Sequence, residues 1–293
     1  MSFEALIAVS QRLNAAVEEL AVLGAELRLR REGGDADPRV RKLLQDIVGQ
    51  IDPRLLDGVD AQQEAVALAF ITAFFRQAVD LLENPGRAPG WLYDDPIVLQ
   101  SQGQASRLVV RGIEALAARQ PGLQEALRRS GAFLDVGTGV GLLAIEAARS
   151  WPALEVVGID IWEPALALAR KNIAASEVAD RIELRNQDVQ HLDERDRYTL
   201  AWLAGPFIPL HVVAPALENI HRALTPGGWL VFGLYVPQPS LIGEALTNLR
   251  IVRGGGHPWT VDEVLTRLRS LGYEQLDSFS PNPPIQFIVG RKP

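Results

Sequence analysis

Residues 133–142 read Phe-Leu-Asp-Val-Gly-Thr-Gly-Val-Gly-Leu, and this stretch constrains the fold most narrowly. An apolar pair runs into Asp135, glycines follow at 137, 139 and 141, and a helical pattern begins at Leu142. A strand length further on, Val156-Val-Gly-Ile-Asp160 closes a second apolar run with a second acid. Glycine lets a backbone turn sharply and lets a ligand lie against the main chain with no Cβ between them. Amides at the start of the next helix have no intrahelical acceptor and are offered to a ligand. An acid ending the second strand is placed to accept the hydroxyls of a ribose. Together these features describe a nucleoside-cofactor site at the first βα turn of an open parallel sheet.

Two details count against a dinucleotide. The dinucleotide fingerprint needs glycine where this chain has Leu142, so the pattern is GxGxG. Asp135, immediately before the turn, would repel a pyrophosphate but attract an ammonium or sulfonium group.

At these residues the chain resembles the class I S-adenosylmethionine-dependent methyltransferases. The resemblance rests on Asp135-Val-Gly-Thr-Gly-Val-Gly141 and Gly158-Ile-Asp160. It continues through Asn186-Gln-Asp188-Val189 and Leu224-Thr-Pro-Gly-Gly-Trp-Leu-Val231, four motifs in order over residues 132 to 232. It implies S-adenosylmethionine as cofactor, its methionine part held by Asp135 and the backbone of Gly137, Thr138 and Gly139. Asp160 is then expected at the ribose and Asp188 at the adenine amino group. Val136, Gly141, Ile161, Val189 and Ala204 complete the expected cofactor set, with Gln104 and Tyr93 added from the segment before the sheet.

Composition narrows the function further. The chain has 293 residues, enough for one large or two ordinary domains. It has no cysteine, which excludes disulfides, thiolate zinc sites and cysteine nucleophiles. Four histidines (191, 211, 221 and 257) are too few for a histidine-rich metal cluster, so no metal is expected. With 29 basic against 36 acidic residues, the net charge of −7 is a poor footprint for nucleic acid. The N-terminus lacks the basic and apolar regions of a targeting signal. The most apolar stretch, 65–75, is too short to span a bilayer. A cytoplasmic protein without membrane or nucleic-acid partners is expected.

The chain divides near residue 90 into a helical N-terminal domain (1–90) and a sheet domain (91–293). In the first, a helix from Phe3 to about Arg30 repeats Leu6, Leu13, Leu20 and Leu27 every seven residues. That seam fits either packing within its own domain or a homodimer interface. Asp37 with Pro38 starts a second helix and Asp60 caps a third. The third is apolar nearly all round, which predicts that it is sandwiched. Residues 84–96 form an irregular connector in which Trp91 and Tyr93 are candidate lid aromatics. Asp95-Pro96 then opens a helix whose Gln100 and Gln104 are candidates to meet the cofactor carboxylate.

From Ala132 the pattern alternates. Strands are predicted near 132–136, 155–159, 181–185, 198–203, 228–235, 272–279 and 284–290. Helices are predicted near 141–150, 163–174, 211–223, 238–249 and 261–271. This is an α/β fold, a Rossmann-like parallel sheet of seven strands. The last two strands are joined too tightly for a crossover helix and should form an antiparallel hairpin.

Methyl transfer needs an acceptor brought to the methyl group, and an oxygen acceptor of high pKa also needs a base. His211, Tyr235 and His257 are the candidates. Ala204-Gly-Pro-Phe207 lacks both the His-Asp pair of plant-type O-methyltransferases and the polar residue of the (Asn/Asp)-Pro-Pro-aromatic motif. The sequence therefore favours a small, largely apolar acceptor methylated on oxygen. Methylation of carbon or nitrogen, a protein acceptor and a catalytically silent cofactor-binding protein remain alternatives. A nicotinamide oxidoreductase is a further one, against which Leu142 counts.

Overall fold

A computed structural model describes residues 2–236, 238–280 and 285–293. The chain divides into two compact units, one ending at Pro85 and the other Gly86–Pro293. The division precedes the expected one near 90 because the connector is tied to the second unit: the Gly90 N–H donates to the Arg253 carbonyl at 2.9 Å.

The first unit contains α1 (Phe3–Glu32), α2 (Pro38–Ile51) and α3 (Ala61–Glu83). Asp37 accepts from the Arg39 amide, and Asp60 with Gln63 forms a capping box, so the acids that open these helices satisfy otherwise orphaned donors. Gly24 lets α1 approach α3 closely; a Cβ there would lie 3.0 Å from Ile71 Cγ2. The leucine seam is covered unevenly: Leu27 is 1% exposed, but Leu6 and Leu13 are 60% and 55% exposed. α3 differs from expectation in its length. It runs 23 residues and so is long and apolar enough, by length and composition, to cross a membrane, unlike the shorter stretch 65–75. Of its apolar residues Val66, Ala69, Ile71 and Ala73 are buried, while Phe74, Val79 and Leu82 are exposed in the single chain.

The second unit opens with α4 (Pro96–Ser106), α5 (Leu108–Ala117) and α6 (Pro121–Arg128). Strands and helices then alternate: β1 (Gly131–Val136), α7 (Leu142–Ser150), β2 (Leu154–Asp160), α8 (Glu163–Ala174), β3 (Ile182–Asn186) and β4 (Tyr198–Ala204). After these come α9 (Leu210–Ala223), β5 (Leu224–Tyr235), α10 (Leu241–Arg253), α11 (Val261–Ser270), β6 (Glu274–Phe279) and β7 (Ile285–Arg291). The seven-stranded sheet has the order β3-β2-β1-β4-β5-β7-β6. β1 to β5 pair in parallel, and β7 runs antiparallel to both neighbours, so the closing hairpin is as predicted. The connection 281–284 and the predicted strand start at Pro284 lie outside the described residues.

Both faces of the sheet are covered, which is why its strands read as continuous apolar runs. Phe133, Val156, Leu200, Trp229 and Phe287 face a core with α5, α6 and α7. Their neighbours Leu134, Val157, Ala201, Leu230 and Ile288 face the opposite core with α9 and α11. α10 starts and ends later than the predicted 238–249, because Ser240 caps it by accepting from the Gly243 amide and Gly254 ends it. β5 starts earlier than predicted. Leu224 pairs with Tyr198 and Trp229 with Leu200, so Thr225–Gly228 bulge out between them. The bulge is clasped by Lys292, whose N–H donates to Gly228 O while its carbonyl accepts from the Gly227 amide.

Candidate active site

The carboxyl ends of β1 and β4, neighbours in the sheet, mark where the strand order reverses, and open α/β sheets bind their ligands at such a point. The glycine loop lies directly after β1. Gly137, Gly139 and Gly141 have φ of 75°, 58° and 76°, left-handed values that side-chain-bearing residues rarely adopt. The space above the loop is open. A Cβ on Gly137 would meet nothing within 4 Å, and one on Gly139 would meet only the Gly137 carbonyl at 4.0 Å.

Asp160 holds this loop in place. Its Oδ2 accepts from the Gly139 amide at 2.8 Å and its Oδ1 from the Trp162 amide at 2.9 Å. A carboxylate has about four acceptor positions, so two such bonds leave capacity for ribose hydroxyls. Burial raises the Asp160 pKa, and the amide bonds oppose the rise. Asp135 is 1% exposed, and burial pushes its pKa up to about 7. The Thr138 hydroxyl, donating to Asp135 Oδ2 at 2.7 Å, works against that shift, and the negative charge of Asp160 adds to it. Gly158 makes room for the hydroxyl, since a Cβ there would lie 2.8 Å from Thr138 Oγ1. A buried acid of this kind gains most when a cation is placed beside it.

Asp188 follows β3, where its Oδ1 accepts from the Gln190 amide and its Oδ2 from the Gln190 side chain. Val189 beside it is buried, Ile161 after β2 is 65% exposed, and Ala204 ends β4. Asn219 on α9 fixes the Asp188 turn by donating to the carbonyls of Val189 and Gln190.

The two candidate amides on α4 have partners within the protein. Gln100 exchanges hydrogen bonds with Asn172, which also donates to the Val140 carbonyl in the glycine loop. Gln104 accepts from Arg107, which pairs with Glu146 on α7. Tyr93 is held by its backbone: Trp162 Nε1 donates to its carbonyl at 2.7 Å. Trp91 and Trp162 both pack against a small core of Leu99, Val140 and Ala165, to which the glycine loop contributes Val140.

An aromatic series leads away from that contact. Trp91 meets Tyr93 edge-on at 5.2 Å and Phe207 at 5.4 Å, and Phe207 meets Tyr235 at 6.4 Å. Burial raises the Tyr235 pKa and the positive charge of Arg250 opposes it, so the phenol keeps its proton at neutral pH. His257 lies edge-on to Trp259 at 4.5 Å. His211 is exposed in the first turn of α9, and none of the described contacts joins it to the aromatic series. Trp162, Asn172 and Asn219 were not singled out from the sequence, because their roles depend on contacts with distant residues.

An open seven-stranded sheet with this hairpin, and a glycine loop held by the acid after β2, define a Rossmann-like nucleoside-cofactor domain of the methyltransferase type. Residues 133–228 match the family model of a methyltransferase domain. Residues 133–228 thus carry a methyltransferase domain, and the cofactor of such a domain is S-adenosylmethionine.

The ribosomal protein L11 methyltransferase of Trichlorobacter lovleyi is 31% identical over 140 residues, 47% of this chain and 43% of that protein. The alignments to the first curated relatives span only 28–43% of those relatives' own lengths. The names of these relatives include tRNA, ribosomal-protein and demethylmenaquinone methyltransferases.

Among solved structures, an O-methyltransferase family protein from Burkholderia thailandensis covers 100% of this chain and 98% of its own, with TM-score 0.66 and 15% identity. Human N-acetylserotonin methyltransferase in complex with S-adenosylmethionine covers 99% of this chain and 98% of its own, with TM-score 0.61 and 15% identity. At such identity these two likenesses are of fold.

Proposed function

We propose that the protein transfers a methyl group from S-adenosylmethionine to a small, largely apolar acceptor, with oxygen favoured over carbon or nitrogen. The observation that carries this reading is the aromatic series Trp91–Phe207–Tyr235, which starts against the small core that includes Val140 of the glycine loop and follows the carboxyl ends of β4 and β5. Apolar rings beside a cofactor loop suit a flat apolar acceptor better than a charged nucleic-acid backbone. The likeness to an O-methyltransferase family structure, which extends over the whole chain, supports oxygen as the acceptor atom.

The residues divide the work. Asp135 and the amides of the glycine loop would hold the amino-acid part of the cofactor, Asp160 the ribose and Asp188 the adenine. When bound, the cofactor supplies an electrophilic methyl group whose bond to sulfur breaks as the acceptor bond forms, leaving the electron pair on sulfur. The chain itself contributes mainly orientation and exclusion of water, through the packed rings of Trp91, Phe207 and Tyr235. Tyr235, protonated at neutral pH, serves as a hydrogen-bond donor to the acceptor and not as its base.

A homodimer through the N-terminal helices is part of this proposal. The exposed Leu6 and Leu13 continue the seam that Leu27 buries, and a second copy offers the same face. Light scattering should give twice the chain mass, and Leu13→Glu should reduce it to one.

Calorimetric titration of S-adenosylhomocysteine and NAD tests the reading. Tight binding of the first alone is expected, weakened about a hundredfold by Asp160→Ala, which removes the ribose acceptor and releases two loop amides. Folded protein that ignores S-adenosylhomocysteine would sink the transferase reading. Tight binding with no transfer to any acceptor would favour a catalytically silent protein.

A further inference from the structure

We infer that Trp162 is a positioning residue that makes acceptor binding depend on a bound cofactor, because it ties the ribose acid Asp160 to the segment that carries Trp91. This rests on the transferase reading above and adds to it the order in which the two ligands enter.

The inference starts from the two N–H groups of one residue. Trp162 stands just before α8 and makes no side-chain capping bond there. Its main-chain amide donates to Asp160 Oδ1 at 2.9 Å, and its indole Nε1 donates to the Tyr93 carbonyl at 2.7 Å. The other oxygen of Asp160 accepts from the Gly139 amide of the glycine loop at 2.8 Å. One carboxylate and one indole thus link the loop to residues 91–93. That segment is tied on its other side by the Gly90 amide, which donates to Arg253 O at 2.9 Å. Trp91 lies between the two ties and meets Phe207, whose ring meets Tyr235. Trp91 and Trp162 also pack on the same core of Leu99, Val140 and Ala165.

The seat of Trp91 therefore depends on Trp162, and Trp162 is fixed through Asp160. Burial makes the charge of Asp160 costly, and the two amides offset part of that cost. Ribose hydroxyls donating to the same carboxylate would favour its charged form further. Hydrogen bonds to a charged acceptor are roughly twice as strong as those between neutral groups, so a bound ribose tightens the Trp162 amide bond. The indole bond to Tyr93 is a neutral one. Its net contribution is comparable with the freedom that one backbone residue gives up on ordering. Fixing Trp162 is then enough to seat residues 91–93 and the ring they bring to the acceptor. Coupling of this kind is bounded by one net hydrogen bond, about fivefold in affinity. It is reciprocal, so the acceptor tightens the cofactor by the same factor. It operates only when both ligands are present, and each ligand measured alone depends little on the opposite end.

The test is calorimetry on the whole protein with S-adenosylhomocysteine and the flat, neutral probe 4-nitroanisole. The wild type should bind the probe about fivefold more tightly when saturated with S-adenosylhomocysteine, and S-adenosylhomocysteine about fivefold more tightly when saturated with the probe. Trp162→Phe keeps a ring in the same core and removes only the indole N–H. In that variant both ratios should fall to about one, while the affinity of each ligand measured alone stays within about twofold. A residue with a merely structural role would weaken both ligands and leave the ratios as they were, and that result would overturn the assignment. So would a ratio of one in the wild type, a ratio unchanged by Trp162→Phe, or no probe binding to the loaded wild type. S-Adenosylhomocysteine is titrated first into each sample: its failure to bind the wild type removes the transferase reading, whereas its binding followed by any of those results removes the role of Trp162 alone.

Discussion

Asp160 and Tyr235 both lie at strand ends on the same edge of one sheet, yet their surroundings are made differently. Asp160 is held by two backbone amides from within a few residues of the strand ends, and Asp135 by a hydroxyl three residues away. Tyr235 is met by the edge of Phe207 and by the charge of Arg250, and Phe207 in turn by Trp91, from segments far apart in sequence. The end proposed for the cofactor is thus fixed by partners close in sequence, and the end proposed for the acceptor by side chains far apart in it. The first arrangement suits a ligand that never changes. The second lets acceptor preference change by substitution without disturbing the cofactor.

Substitutions can break or sharpen that contrast. Gly158→Val has the largest expected effect. Its new side chain would displace the Thr138 hydroxyl from Asp135, costing about 1–3 kcal/mol of stability and at least about tenfold in S-adenosylhomocysteine affinity. Thermal melts and calorimetry would read both.

Asp135→Asn tests the buried acid through its pH dependence. The folded-state pKa of Asp135 is raised to about 7, so between about pH 4 and 7 the folded protein holds a proton that the unfolded chain has lost. Stability without ligand should therefore fall as pH rises through that window, by on the order of a few kcal/mol. The variant should flatten the slope of melting temperature against pH. Some slope of the same sign should remain from Asp160, whose pKa is also raised.

Gly256→Ala addresses the other end, because its Cβ would lie 1.8 Å from Pro206 O and force the 205–207 turn to move. Affinity for a flat apolar probe such as 4-nitroanisole should fall about tenfold, while S-adenosylhomocysteine affinity stays within about twofold. An equal loss of both would mean the two ends are not independent.

Trp162→Phe is the smallest and most telling change. Its indole is the described hydrogen bond that joins the connector at Tyr93 to the cofactor side. Losing it should cost about 1 kcal/mol and weaken both ligands slightly. An effect on one ligand alone would show that the connector serves only that end.

The same contrast explains what could be read from the sequence. The glycine turn, the acids at 135 and 160 and the alternation of strands and helices are local, so spacing alone revealed them. The helix starts at Asp37 and Asp60 were legible because a cap lies beside the amides it satisfies. The pairing of Gln100 could not be read for the opposite reason. Its partner Asn172 is 72 residues away, and no spacing rule announces that contact. Trp91 and Tyr235 were singled out from the sequence, but their meeting through Phe207 was not legible, since these residues lie far apart in the chain. The later start of α10 followed from Ser240, whose hydroxyl caps the helix by accepting from the Gly243 amide.

The position of β7 has a consequence for how the chain reaches this state. Residues 285–291, which follow every other strand of this sheet in the chain, occupy an interior lane of the sheet between β5 and β6. Until they arrive, β5 presents an open edge of unpaired amides and carbonyls, and β6 has no strand to join. Such an edge is a template for pairing with another chain. The slow, aggregation-sensitive step of folding should therefore be the insertion of this last strand, and the Lys292 clasp on the β5 bulge is the latch that completes it.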